Sequence, residues 1–473
     1  MPAPPLPPPH LPPLAGGAGG PDALRPLLDA ALDALRAGAA ARGGPLPAGG
    51  PEAVARRTAD ALGDPLPDHG DDPEAALRRL VEAVAHGSAD PADPLCAAHL
   101  HTPPLALAVA ADLAAAALNP SMDSWDQAPA ASELEAALTR ALAAEVFPNP
   151  GRPRDPAGPG GPDALVTTGG TESNQLALLL AREQHAPHGP LRVVCGEDSH
   201  HSVRRATWLL GLPAPVTAPL HDLAALDHVL TATPGPLLVA ATAGTTDTGR
   251  IDPLPGIAGL AARHRAAFHV DAAYGGPLLF SDTRRHLLAG LDRADTVTLD
   301  LHKLGWQPVA AGLLAVADSR RLAPLAHTAD YLNAEDDTDA GLPDLLGRSL
   351  RTTRRPDILK TAVTLRALGR SGLGALVDRV CDLAQDLAGL VDKHPRLELH
   401  ARPALSTVLF RPTGATDEET AAVRRTLLTE GRAVLGRARA DGRVWLKATL
   451  LNPHTTPDHL DALLALVEGS TPR

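Results

Sequence analysis

Apolar and polar positions divide the chain into stretches of different rhythm. Residues 21 to about 100 hold helix-period segments broken by Pro and Gly: "PDALRPLLDAALDALRAG", "PEAVARRTADALG" and "DPEAALRRLVEAVAHG". "SELEAALTRALAAEVFP" predicts a further helix. Ser132 and Glu135 read as its capping box, Leu134, Leu138 and Leu142 recur every four residues, and Pro148 follows its end. Beyond it the rhythm changes. The short apolar runs "ALVTT", "LRVVCG", "PLLVAATAG", "AAFHVDAA" and "DTVTLDL" predict strands, and "TESNQLALLLAREQ", "HSVRRATWLLGL", "DLAALDHVL" and "PLPGIAGLAARH" predict the helices between them. Such alternation argues for an α/β fold, a mostly parallel sheet covered on both faces. After about residue 370 come a long helix, "LGALVDRVCDLAQDLAGLVDKH", the predicted strands "STVLFRP" and "RVWLKATLL", and two more helices, a smaller α+β lobe. The expected organisation is a Pro-rich tail at 1–20, a helical segment at 21–104, a large domain at 105–370 and a small C-terminal domain at 371–473.

Composition narrows the function classes. The 43 basic and 55 acidic side chains leave a formal charge of -12, without a Lys/Arg-rich block that would mark a nucleic-acid footprint. Three cysteines, widely spaced, exclude a disulfide framework and suit a reducing cytoplasm. The opening "MPAPPLPPPHLPPL" lacks the charged and apolar regions of a signal peptide and reads as a disordered or polyproline-like tail. The longest apolar run, "LALAVAADLAAAAL", contains Asp112 and is too short to span a bilayer. The "HLH" at 99–101 has no third ligand and makes a poor metal site.

Four features fall at predicted strand ends, where open α/β sheets bind ligands. In "TTGGTESN", Gly169 and Gly170 precede a helix start at Thr171, which suits either an anion site or an ordinary capped turn. Asp271, ending "FHVD", could hold a protonated ring nitrogen, with Ala272 and Ala273 leaving room for a flat ring, or cap the next turn. His200 and His201 open a helix, where one could stack on a ring or serve as acid or base. Lys303, in "LDLHKLGWQ", is either an amine nucleophile or a lysine that reaches solvent. An anion cradle, a carboxylate, an imidazole and an amine together are what pyridoxal 5′-phosphate requires.

These residues, with "AHLHTPP", "NPSMDSWDQAPAASELE", "ATAGTTDTGRIDP", "ADYLNAEDD", "SLRTTRRPDILK" and "LKATLLNPHTT", give a chain that resembles the group II pyridoxal-phosphate decarboxylases from about residue 50 to 460. It is most similar to the branch acting on L-2,4-diaminobutyrate, with siderophore lysine decarboxylases nearby. The resemblance implies the aspartate-aminotransferase-like fold (type I) and a homodimer with active sites at the interface. It makes Lys303 the lysine that carries the cofactor, His302 a phosphate contact, Asp271 the ring-nitrogen partner, Ala273 the small residue against the ring and His200 the stacking imidazole. Gly170 and Thr171 match the phosphate loop, and Thr246 a hydroxyl beside the cofactor.

The implied reaction is decarboxylation of an L-amino acid, first L-2,4-diaminobutyrate to 1,3-diaminopropane, with lysine, ornithine or an aromatic amino acid as alternative substrates. An aminotransferase or a cysteine desulfurase would use the same cofactor logic. Asp123 stands where aromatic-specific relatives carry a phenylalanine and, together with Asp126, would suit a distal ammonium; the bland alternative is that both aspartates cap or pair within their loop. Those relatives return a proton to Cα from a loop tyrosine, which "AGLPDLLGRSLRTT" lacks, leaving His200 as the default donor. Arg351 and Pro356 replace the Gln and Phe usual in this branch.

Overall fold

The computed structural model describes residues 11–148, 160–327 and 329–471. The first ten residues of the expected tail lie outside them. In chain order the strands are β1 (Cys96–Ala97), β2 (Asp163–Thr167), β3 (Arg192–Cys195), β4 (Val216–Thr217), β5 (Leu237–Thr242), β6 (Ala267–Ala272), β7 (Thr296–Asp300), β8 (Gly312–Val316), β9 (Leu397–Leu399), β10 (Thr407–Pro412), β11 (Val434–Ala440) and β12 (Arg443–Thr449).

Seven of them form one sheet in the order β2-β8-β7-β6-β5-β3-β4. The run from β7 to β4 is parallel, while β8 is antiparallel to both β2 and β7. Every residue of β5, β6, β7 and β8 is buried, as expected of a sheet covered on both faces. The core joins their Val, Ala and Leu side chains to those of the flanking helices, Ile257 and Val377 among them.

A second sheet, β1-β11-β12-β10-β9, builds the C-terminal lobe. Here one expectation needs amendment. Cys96 and Ala97 pair in parallel with Val434 and Leu435, so the end of the N-terminal helical segment belongs to the C-terminal sheet. The helix Ile358–Lys393 runs between the lobes and breaks at Gly369 (φ 66, ψ 179), a left-handed position open to glycine.

The capping box at Ser132 is not what forms. The helix starts three residues earlier, at Pro129, whose fixed φ suits a first turn. Ser132 lies inside it and its Oγ donates to the Ala128 carbonyl, 2.7 Å away. Glu135, buried, instead makes a two-pronged ion pair with Arg354, both bonds 2.7 Å. Among the described residues, no helix is long and apolar enough to cross a membrane.

Candidate active site

Because β5, β6 and β7 run parallel, their C-terminal ends reach the same edge of the sheet. Thr242 ends β5, Asp271 is the penultimate residue of β6, and Asp300 ends β7 just before His302 and Lys303. The turn after β2 brings Gly169 to this edge, where the helix Gly170–His185 begins.

Close backbone approach makes the glycines necessary. A Cβ at Gly169 (φ 151) would lie 2.9 Å from His302 Cε1, and one at Gly170 would lie 3.0 Å from Ala273 Cβ and 3.2 Å from Asp300 Oδ2. The result is one cavity of about 300 Å³, lined by Gly170, Thr171, His200, Thr246, Asp271, Ala273, His302 and Lys303 together with Leu100, Tyr274 and Asp300. All eight cofactor-site residues expected from the sequence line it.

Lys303 Nζ is 2.9 Å from Asp300 Oδ2, and His302 Nε2 is 3.6 Å from the same oxygen. Asp300 is only 1% exposed, and burial holds the His302 imidazolium below its ordinary range. Asp300 Oδ1 and His302 Nδ1 are buried without a hydrogen-bond partner among the described residues. The Asp271 carboxylate accepts from Asn174 Nδ2 at 2.7 Å and from the Ala273 backbone N–H at 3.1 Å. His200 caps the helix His201–Leu209, its Nδ1 accepting from the Ser202 N–H, and its ring lies 4.1 Å from that of His201. Burial, more than the neighbouring Asp271 charge, sets the direction for His200 and lowers its proton affinity.

Other residues are placed elsewhere. Asp123 and Asp126 do not line the cavity of their own chain: Gln127 donates to Asp123 at 2.7 Å, and Ser124 donates to Asp126 at 2.5 Å. Tyr274 lines the cavity, but its hydroxyl is buried against Ser406 and Thr407 at 2.8 and 2.9 Å, and burial raises its pKa. Arg351 meets Glu172 at 3.3 Å.

Sequence reading assigned no role to Asp300, Asn174, Ser202 or His269. The first has a legible signal, an acid three residues before a lysine at a strand end. His269 shares a face of β6 with Asp271 by the two-residue period.

The pyridoxal-dependent decarboxylase conserved domain matches residues 57–413. The chain belongs to this decarboxylase family. An L-2,4-diaminobutyrate decarboxylase of Rhizobium meliloti (strain 1021) is 39% identical over 430 residues, 87% of this chain and 84% of that protein. Another of that description, from Acinetobacter baumannii, is 32% identical over 85% of this chain and 84% of its own length. Among solved structures, the glutamate decarboxylase domain of a diaminobutyrate-pyruvate transaminase and L-2,4-diaminobutyrate decarboxylase from Vibrio parahaemolyticus superposes with a TM-score of 0.83 at 32% identity, covering 97% of both chains. Oryza sativa TDC with PLP and tryptamine gives 0.85 at 25% identity, covering 96% of this chain and 99% of that one.

The decarboxylase is therefore an α/β, fold type I enzyme that uses pyridoxal 5′-phosphate to remove CO₂ from an amino acid. Its cavity fits that cofactor. A helix N-terminus and two unpartnered buried polar atoms flank one side, a carboxylate held by two donors lies on another, and the glycine cradle leaves room that any Cβ would take.

Proposed function

We propose that the enzyme decarboxylates L-2,4-diaminobutyrate to 1,3-diaminopropane and CO₂, with Lys303 as the residue that carries the cofactor. The observation that carries this reading is the convergence of Lys303, His302, Asp271, Thr246, Gly170, Thr171 and His200 on one cavity. The substrate assignment is supported by the two relatives of that activity, matched over most of both chains.

The bound cofactor supplies an electron sink for the pair left on Cα when CO₂ departs. The chain supplies the rest. The Gly170–Thr171 amides at the helix start would hold the phosphate, together with His302. Asp271, held by Asn174 and the Ala273 N–H, would pair with the ring nitrogen, and Ala273 would leave space against the ring. His200 would stack on the ring, and in the cofactor-free enzyme Asp300 Oδ2 holds the Lys303 amine at 2.9 Å. Thr246 offers its hydroxyl beside the cofactor.

A homodimer is part of this reading. Leu32, Leu35, Val84, Val109 and Leu118 are exposed on the helices Gly20–Arg42, Pro73–Gly87 and Ala106–Leu118, which supports a second copy as their cover. Asp123, with Asp126, would then reach the partner's cavity and face the substrate's distal ammonium. Light scattering should give a particle of twice 48.8 kDa.

A panel of diaminobutyrate, ornithine, lysine and DOPA, read as CO₂ and amine, should favour diaminobutyrate, and Asp123→Ala should erode that preference. Borohydride reduction of the loaded enzyme should label Lys303 and no other lysine. Labelling elsewhere would refute the assignment.

A further inference from the structure

Beneath the cavity floor a hydrogen-bond chain ties Asp271 to His200 through Asn174 and Ser202, neither of which lines the cavity. Asn174 Nδ2 donates to Asp271 Oδ2 at 2.7 Å and to Ser202 Oγ at 2.8 Å. Ser202 Oγ lies 2.8 Å from His200 Nδ1. On the other side, Asn174 Oδ1 receives Thr298 Oγ1 at 2.8 Å and meets His269 Nε2 at 3.0 Å. Asn174, Ser202, His269 and Thr298 are all fully buried, so bulk water cannot substitute for any member.

The polarity of each bond follows from its neighbour. A carboxylate oxygen accepts, so the amide end facing Asp271 is the NH₂. Its second hydrogen goes to Ser202 Oγ. The serine hydroxyl has one hydrogen of its own, and His200 Nδ1 is its remaining partner. The Ser202 backbone N–H, which can only donate, points at the same Nδ1 from 3.3 Å. Two donors on Nδ1 leave no place there for a proton. The ring hydrogen must be on Nε2, for which no partner is found among the described residues.

We propose that Asn174 and Ser202 are positioning residues: they relay the fixed orientation of the Asp271 carboxylate to His200 and lock its ring as the Nε2–H tautomer, with that N–H offered to the cavity. This deepens the assignment of His200 and Asp271 as cofactor-facing groups and rests on it. His200 then acts as a hydrogen-bond donor and a stacking surface. Returning a proton to Cα falls to another group, because a neutral imidazole that gave up its Nε2 hydrogen would be left as an anion.

The titratable and charged groups around His200 are Asp271 on β6, Asp300 and Lys303 at the end of β7, and His201 on its own helix. None of them is hydrogen-bonded to Nδ1, so removing the serine hydroxyl acts directly on His200 and reaches Asp271 only through Asn174, which keeps its own bond to that carboxylate. Without that donor, protonation of Nδ1 is less opposed and His200 should titrate at higher pH.

The test uses ¹⁵N-histidine-labelled full-length chain without cofactor, read by long-range ¹H–¹⁵N correlation, with His200→Gln to assign the signals. The expected wild-type pattern is Nε2–H. Ser202→Ala should raise the His200 titration midpoint and introduce the Nδ1–H form, while Ser202→Thr, which keeps the hydroxyl, should restore the wild-type pattern. Asn174→Ala should weaken cofactor binding roughly tenfold, the loss expected when a carboxylate loses a buried donor.

A wild-type Nδ1–H pattern, or an unchanged titration in folded Ser202→Ala, would overturn the proposal. Failure of the cofactor assignment has a separate signature: Lys303 unlabelled by borohydride in the presence of cofactor, whatever tautomer the free protein shows.

Discussion

Asp252 sits behind the site, 4% exposed, with Oδ2 accepting the Thr242 backbone N–H at 2.8 Å and Oδ1 without a partner among the described residues. Burial pushes its carboxyl up from the ordinary 3.8 to about 6. The folded protein therefore holds this proton more tightly than the unfolded chain does. Below the unfolded value the group costs nothing; as pH rises through the window between the two values, folding loses stability. A shift of about two units caps the loss at about 3 kcal/mol.

Asp252→Asn keeps an acceptor for Thr242 and cannot ionise. Its amide NH₂ takes the unpartnered position, a pH-independent cost of about 1–3 kcal/mol. The difference between variant and wild type isolates the charge from that cost. It should move in the variant's favour by about 2 kcal/mol between pH 4.5 and pH 7.5. Urea unfolding of both proteins at the two pH values, with cofactor removed to avoid linkage through binding, measures it. A difference equal at both pH values would refute the argument that Asp252 is a carboxylate ionised against burial.

Glu135→Ala strands the Arg354 guanidinium, 1% exposed, without its counter-charge and should cost about 3–5 kcal/mol in urea unfolding, while the Glu135→Met/Arg354→Met pair should recover much of it. Gly169→Ala places a Cβ 2.9 Å from His302 Cε1 at φ 151; fluorescence titration of the free protein should show cofactor affinity weakened by roughly tenfold or more. Tyr274→Phe leaves Ser406 and Thr407 short of a buried partner and should lower stability by about 1–3 kcal/mol, read from the urea midpoint.

The parallel strands were legible because a sheet buried on both faces writes itself as continuous apolar runs; "PLLVAATAG" and "AAFHVDAA" became β5 and β6. β8 escaped because it returns antiparallel without a helix before it, so the strand–helix rhythm that located the others is missing. β11 escaped for another reason: Arg437 and Arg439 interrupt its apolar run, and its place as a strand comes from pairing with β12. The cavity-lining residues Gly170, Asp271 and Lys303 could be read because each lies at or just past the end of an apolar strand run. The bond between Asn174 and Asp271 could not, since it joins positions 97 apart in sequence and no local pattern records it. Ser132 and Glu135 matched a capping motif by spacing alone. A proline at the first helical turn and a buried arginine decided the outcome.

The floor of the cavity is fastened to the C-terminal lobe from two directions. Trp306, three residues past Lys303, donates its indole N–H to the Leu451 carbonyl at 2.8 Å, and Tyr274, three past Asp271, is anchored on Ser406 and Thr407. Swinging that lobe aside as a rigid cover would break these buried hydrogen bonds together and expose the indole and the phenol. The cavity floor and the C-terminal lobe are thereby coupled: a substitution at Ser406 or Thr407, outside the cavity lining, reaches Asp271 through Tyr274.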